Sequence, residues 1–314
     1  MPLHPDAVAF AERTAALYAA EGIDTAPPVT VETRRRMARA SLPVRAPAEW
    51  PPLAEIRDVP VPTRAGPRMA RIFRPDAPEP LPVILYFHGG GYVAGGIAEN
   101  SPEAHRLAAA QPALVVSFSY RLAPEDPFPA GVDDGEDALG WLAANAASLG
   151  ADPARIALSG SSAGAGLAAA VIRRSLANGG PAVRLAILLS PWLDVFQDSA
   201  SARTFATGYG LETAALDAMR DLYLAGRTAP DDPHVSPARH PLPAGWPATV
   251  LLAAECDPLA DDARAFARRL AVAGVDHVLR FGEGMPHIFH GGWAAMPATA
   301  PHVEWLDREV RARL

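Results

Sequence analysis

Short apolar runs alternate with stretches of helical periodicity from about residue 80 to the end of the chain. The runs PVILYF (82–87), ALVVSFSY (113–120), RIALSG (155–160), VRLAILLS (183–190), TVLLAAE (249–255) and HVLRF (277–281) have strand length. The first five are nearly continuous in hydrophobic residues, the pattern of parallel strands buried on both faces. Helical patterns separate them at 101–110, 133–148, 163–177, 260–273 and 299–313. Asp133 is expected to cap the second of these helices, and Gly150 and Gly274 to stop helices. Such alternation predicts an α/β fold, a mostly parallel sheet with helices on both sides. Upstream, IRDVPVP and RMARIFRP, around 56–75, read as an antiparallel hairpin joined to that sheet.

Two segments break the alternation. Residues 1–50 are mainly helical, with Arg34, Arg35 and Arg36 read as a solvated helix face. Residues 196–246 carry one amphipathic helix, LETAALDAMRDLYLAG, followed by proline-rich loops. The expected organisation is a core of 51–195 and 247–314, with 1–50 and 196–246 meeting over the sheet as a helical cap.

Composition narrows the chemistry. The chain has 314 residues, 49% hydrophobic, with a net charge of −7, so a nucleic-acid partner is not expected. No run of 18 apolar residues is free of charges or prolines, which argues against a membrane span. The first 22 residues contain Asp6 and Glu12 without a basic start, unlike a signal peptide. The lone Cys256 excludes an internal disulfide and a thiolate metal cluster, reads as a small buried hydrophobe, and points to the cytoplasm. All 28 basic residues are arginine. Without lysine there is no Schiff base, no phosphate loop of the GxxxxGK[ST] type and no Ser–Lys dyad.

The stretch LSGSSAGAG (158–166) admits two chemistries. Read from Gly164 it fits GxGxxA, a dinucleotide turn. That turn needs its first glycine directly after the strand and a carboxylate about 20 residues later, and RLAILLS (184–190) has none. Read as Gly160-Ser161-Ser162-Ala163-Gly164 it fits GxSxG, a strand-to-helix elbow that presents a nucleophile. Only Ser162 has glycines at both flanking positions; Gly166 then becomes a helix-packing residue, and the role of Ser161 stays open.

The partners of such a serine follow in order. HGGGY (88–92) ends the first long apolar strand, and its glycines let backbone N–H groups approach a substrate without a Cβ in the way. Gly90 and Gly91, with the N–H of Ala163, are expected to form an oxyanion hole, and Gly89 to shape the loop or donate. His88 reads as a loop-shaping residue. Among the nine histidines only His287 and His290 lie in the loop after the last strand, and His287, after a Gly-x-Pro turn, is favoured as the base. Asp257 follows its strand and precedes a proline that keeps it out of the next helix. It is favoured as the acid, with Glu255 as its rival, and Asp261 and Asp262 read as first-turn helix carboxylates. The order Ser162, Asp257, His287 is that of the α/β-hydrolases.

HGGGY, GSSAG (160–164), DPL (257–259), the His287 loop and YRLAPEDPFPAGVDDGEDALGWL (120–142) together resemble the bacterial hormone-sensitive-lipase-like esterases over about residues 50–314. The resemblance implies an α/β-hydrolase fold with a helical cap and cofactor-free hydrolysis of short- to medium-chain carboxylic esters. Ser161 and MPHIF depart from the commonest family forms. An amidase, deacetylase or acyltransferase would use the same triad. A receptor on this fold would lack the working histidine that is present here. A small neutral ester is the expected substrate, since an acidic surface does not steer anions. Arg121 is expected to pair with Glu125 or a nearby aspartate. Tyr92, Phe128, Trp192 and Tyr209 are pocket or core residues. The strand at 277–281 is placed at a sheet edge, where a homodimer would form.

Overall fold

A computed structural model describes residues 2–196, 198–227 and 232–314. Eight strands form one sheet: β1 (Glu55–Val61), β2 (Arg68–Arg74), β3 (Leu81–Phe87), β4 (Leu114–Phe118), β5 (Ala151–Ser161), β6 (Leu185–Leu189), β7 (Ala248–Cys256) and β8 (His277–Pro286). Their spatial order is β1-β2-β4-β3-β5-β6-β7-β8. The β1–β2 and β2–β4 pairs are antiparallel; every later pair is parallel. Every residue of β3, β4 and β6 is buried, as their unbroken apolar sequences require when helices cover both faces.

Ten helices accompany the sheet among the described residues. They are α1 (Pro5–Ala20), α2 (Val31–Ala40), α3 (Leu42–Arg45), α4 (Ser101–Ala110), α5 (Ala130–Asn145), α6 (Ala163–Asn178), α7 (Ala200–Thr204), α8 (Thr213–Leu224), α9 (Ala260–Val272) and α10 (Ala300–Arg313). One core layer joins α5, α6, α8 and α9 to the sheet through residues such as Leu139, Leu167, Tyr223 and Phe266. The other joins α1, α4 and α10 through Ala7, Leu107 and Leu306.

Several expectations shift. The helix predicted from 133 starts at Ala130 after Pro129, so Asp133 lies in its first turn and does not cap it. Its carboxylate instead accepts a hydrogen bond from Arg174 of α6. Gly150 and Gly274 do take left-handed conformations just past helical segments, with φ of 68° and 67°. β5 and β8 are longer than their apolar runs, because pairing with a neighbour extends them beyond the hydrophobic stretch. The arginine run is not one solvated face. Arg34 and Arg35 are half-buried, and only Arg36 is exposed. Arg35 makes a forked bond to Glu125 at 2.7 and 2.8 Å and donates to the Val93 carbonyl at 3.0 Å. It thereby ties α2 to the segment after β3. Arg121 takes the aspartate alternative expected of it: it pairs with fully buried Asp134, whose carboxylate accepts from its Nε, its Nη2 and its backbone N–H.

Candidate active site

The site is built where the ends of four strands, β3, β5, β7 and β8, converge. Between β5 and α6 the chain turns through Ser162, whose φ of 55° and ψ of −120° are strained for any residue with a side chain. The turn is tight on both sides. A Cβ on Gly160 would lie 2.2 Å from the Gly164 carbonyl oxygen, and one on Gly164 would lie 2.1 Å from that of Phe87. Both neighbours are backbone and cannot yield, which is the physical content of the GxSxG spacing. The Ser162 N–H is held by the Leu189 carbonyl at 2.9 Å, and its own carbonyl accepts from Ala165 and Gly166 at 3.0 and 3.2 Å. The serine therefore stands at the positive end of α6. Gly166 packs as expected, with the Trp192 carbonyl and the Tyr92 hydroxyl each 2.4 Å from where its Cβ would be.

Asp257 follows β7 and is 1% exposed. One carboxylate oxygen accepts from the Leu259 N–H at 2.9 Å, and the other lies 2.7 Å from His287 Nδ1. His287 Nε2 lies 2.9 Å from Ser162 Oγ. These distances make one continuous line of hydrogen bonds, Asp257 to His287 to Ser162. The rivals go elsewhere. Glu255 accepts from the Gly284 N–H at 2.8 Å and bonds neither histidine, while buried His290 faces Glu103. Asp261 and Asp262 sit in the first turn of α9, as expected, but both also accept backbone N–H groups from the segment after β6: Asp261 from Ser201, and Asp262 from Leu193 and Asp194.

The loop after β3 runs beside the serine. A Cβ on Gly89 would lie 3.0 Å from the Ser161 carbonyl oxygen and 3.5 Å from Ser162 Cβ. Gly90 and Gly91 have φ of 128° and 64°, and the Gly90 carbonyl closes the loop by accepting from Val93 and Ala94. Among the described residues the N–H groups of Gly90, Gly91 and Ala163 meet no acceptor. His88 is fully buried, bonds the Gly89 carbonyl through Nδ1 at 2.8 Å and stacks on Tyr120 at 4.3 Å. Burial lowers its pKa to about 4, so it is neutral and shapes the loop.

Tyr92, Phe128 and Trp192 are core residues, while Tyr209 is half-buried with its ring edge-on to Phe205. Sequence reasoning missed the part played by α8. Met219 fills the space where a Gly91 Cβ would lie, and Tyr223 stacks on Tyr92 at 3.9 Å. It also missed Ser190, whose hydroxyl accepts from the Ile288 N–H at 3.3 Å, beside His287. Neither contact has a local signature, because each joins segments far apart in the chain. Among the described residues no group of three His, Cys, Asp or Glu side chains could hold a metal ion, and no helix is long and apolar enough to cross a membrane.

Comparison with known proteins fits this geometry. The alpha/beta hydrolase fold family matches residues 84–291. Carboxylesterase NlhH of Mycobacterium tuberculosis is 37% identical over 223 residues, 70% of each chain. Ethyl acetate hydrolase of Pseudomonas putida is 33% identical over 263 residues, 82% of each chain. The hyperthermophilic esterase of the archaeon Pyrobaculum calidifontis superposes with a TM-score of 0.87 at 29% identity, covering 99% of both chains. The family match spans more than half of the chain, so this protein belongs to the hormone-sensitive-lipase-like esterases of the alpha/beta hydrolase superfamily.

Proposed function

We propose that this carboxylic ester hydrolase works through Ser162, His287 and Asp257 on small neutral esters of short to medium acyl length. The observation that carries the reading is the hydrogen-bond line from Asp257 through His287 to the strained Ser162. Ser162 Oγ attacks the ester carbonyl while its proton passes to His287 Nε2. Asp257 accepts the Nδ1–H bond, fixes the tautomer and stabilises the imidazolium. The N–H groups of Gly90, Gly91 and Ala163 receive the oxyanion, each of such donors being worth about 3 kcal/mol. Collapse expels the alcohol, which takes the proton from His287. Water then repeats the sequence on the acyl-enzyme and releases the acid.

We also propose that 1–50 and 196–246 form a cap over the core of 51–195 and 247–314. The Arg35–Glu125 pair and the packing of Met219 on Gly91 support this. The lone buried Cys256 suits a reducing cytoplasm, and the open edge of β8 suits a homodimer.

Ser162→Ala should lower kcat by on the order of 10⁴–10⁶ with the fold intact. Retention of near-normal activity would remove the serine from the mechanism. A panel of p-nitrophenyl esters of rising acyl length, run beside acyl amides, tests the substrate class. Faster turnover of the amides would favour an amidase or deacetylase instead.

A further inference from the structure

A second chain of polar side chains lies buried three residues beyond His287. His290 sits in the 3₁₀ turn Phe289–Gly292. Its Nδ1 lies 2.6 Å from Glu103 Oε1 of α4, and both side chains are at most 2% exposed. The contact is an ion-pair distance whose angles fall short of a hydrogen bond. The other Glu103 oxygen accepts from the fully buried Tyr86 hydroxyl of β3 at 2.7 Å. Arg45 of α3, also buried, closes the group. It donates to the Glu99 carbonyl at 3.1 Å, and its guanidinium stands 3.1 Å from where a Gly291 Cβ would be.

This arrangement is costly unless it does something. Burial alone would push the Glu103 carboxyl up. The His290 charge and contact, the Tyr86 hydroxyl and the Arg45 charge together outweigh that and hold it down at about 2. An ionised carboxylate is thus kept in a core where an apolar residue would pack more cheaply.

Its position suggests what it does. Between His287 and Phe289 the chain passes through Ile288 at φ 49°, a rare conformation for a β-branched residue. Such strain persists only where the surroundings fix the chain on both sides. On one side His287 is bonded to Asp257 and Ser162; on the other His290 is held against Glu103. Phe289 between them packs on Gly282, where a Cβ would lie 2.6 Å from its ring.

We propose that His290, held by Glu103, which Tyr86 in turn fixes, is a positioning residue that holds the His287 imidazole in line with Ser162. This rests on the triad reading above. A misplacement of about 1 Å at the base is enough to cost up to about 100-fold in rate without touching substrate binding.

The test uses the full chain and a p-nitrophenyl phosphonate, which labels the nucleophile at a rate that reports its activation, together with steady-state ester hydrolysis. His290→Gln and Glu103→Gln should each lower kcat and the labelling rate about 10- to 100-fold, with KM within about twofold. The double variant should be no worse than the poorer single one, because the two side chains act as a unit. The low-field proton signal of the His287–Asp257 bond should shift or broaden in each. Tyr86→Phe, which removes only one hydroxyl, should show the same split at a loss of about 3- to 10-fold, and it decides the matter if the glutamine variants fail to fold. If the wild type is not labelled at Ser162, the triad reading itself fails. If the wild type is labelled and the folded variants react at its rate, or lose only thermal stability or KM, the positioning role is overturned.

Discussion

Asp257 and Glu255 are two residues apart at the end of β7, and only one of them reaches the imidazole. Asp257 sits past a register shift, between Ala254 and Cys256, that brings Cys256 opposite Pro286 and so places His287 beside it. Glu255 is used to fix the Gly284 backbone. Asp257→Asn should therefore reduce kcat by about 10⁴ by presenting the wrong tautomer. Glu255→Gln keeps an acceptor for Gly284 and should cost less than about tenfold. Steady-state kinetics on one p-nitrophenyl ester compares the two, and a larger loss in the Glu255 variant would reverse the roles. Gly164→Ala belongs at the same scale. The added methyl meets the Phe87 carbonyl oxygen at 2.1 Å, so the elbow must open. A stability loss of about 1–3 kcal/mol in urea unfolding is expected, together with loss of activity.

At the level of elements, α9 carries a charge problem that the sequence pattern hides. Asp262 in its first turn is buried; burial first, then the facing Asp194, and to a lesser degree Asp257, raise its pKa well above the usual carboxylate range. Bonds from the Leu193 and Asp194 N–H groups pull it back only in part. The unfolded chain gives up this proton at ordinary carboxylate pH while the folded one keeps it, so the group makes stability fall as pH rises above that range. Asp262→Asn retains an acceptor for both N–H groups and removes the titration. Its urea midpoint should drop less than that of the wild type between about pH 5 and about pH 8. An equal drop would place the pH dependence elsewhere. α8 shows a different limit of pattern reading. Its amphipathic face was clear, but what that face covers, Gly91 and Tyr92 of the loop after β3, is fixed by the fold alone.

On the scale of the whole molecule, the sheet leaves β8 with one unpaired side. Among the described residues no further strand pairs with β8, although the His4 N–H bonds the Gly284 carbonyl near its end; pairing with the same strand of a second copy would satisfy backbone groups left along that edge. Light scattering across a concentration series should then report a dimer, and a monomer at all concentrations would discard this reading. The parallel core was legible because unbroken apolar runs have few solutions other than a sheet covered on both faces; the upstream hairpin was legible too, whereas the order of the strands came only with the fold. Ser162, Asp257 and His287, proposed from their order in the chain, do meet in one line of hydrogen bonds, because strand ends in such a sheet gather at one edge. Local spacing also identified the elbow, since Gly160 and Gly164 answer to backbone atoms that any chain making this turn would bring close. Tertiary structure alone decided the rest. It chose Asp257 over Glu255, gave Arg121 to Asp134 and Arg35 to Glu125, and set His290 against Glu103. Those choices depend on which side chains meet across elements far apart in sequence, and a carboxylate or guanidinium carries no local mark of the partner that will neutralise it.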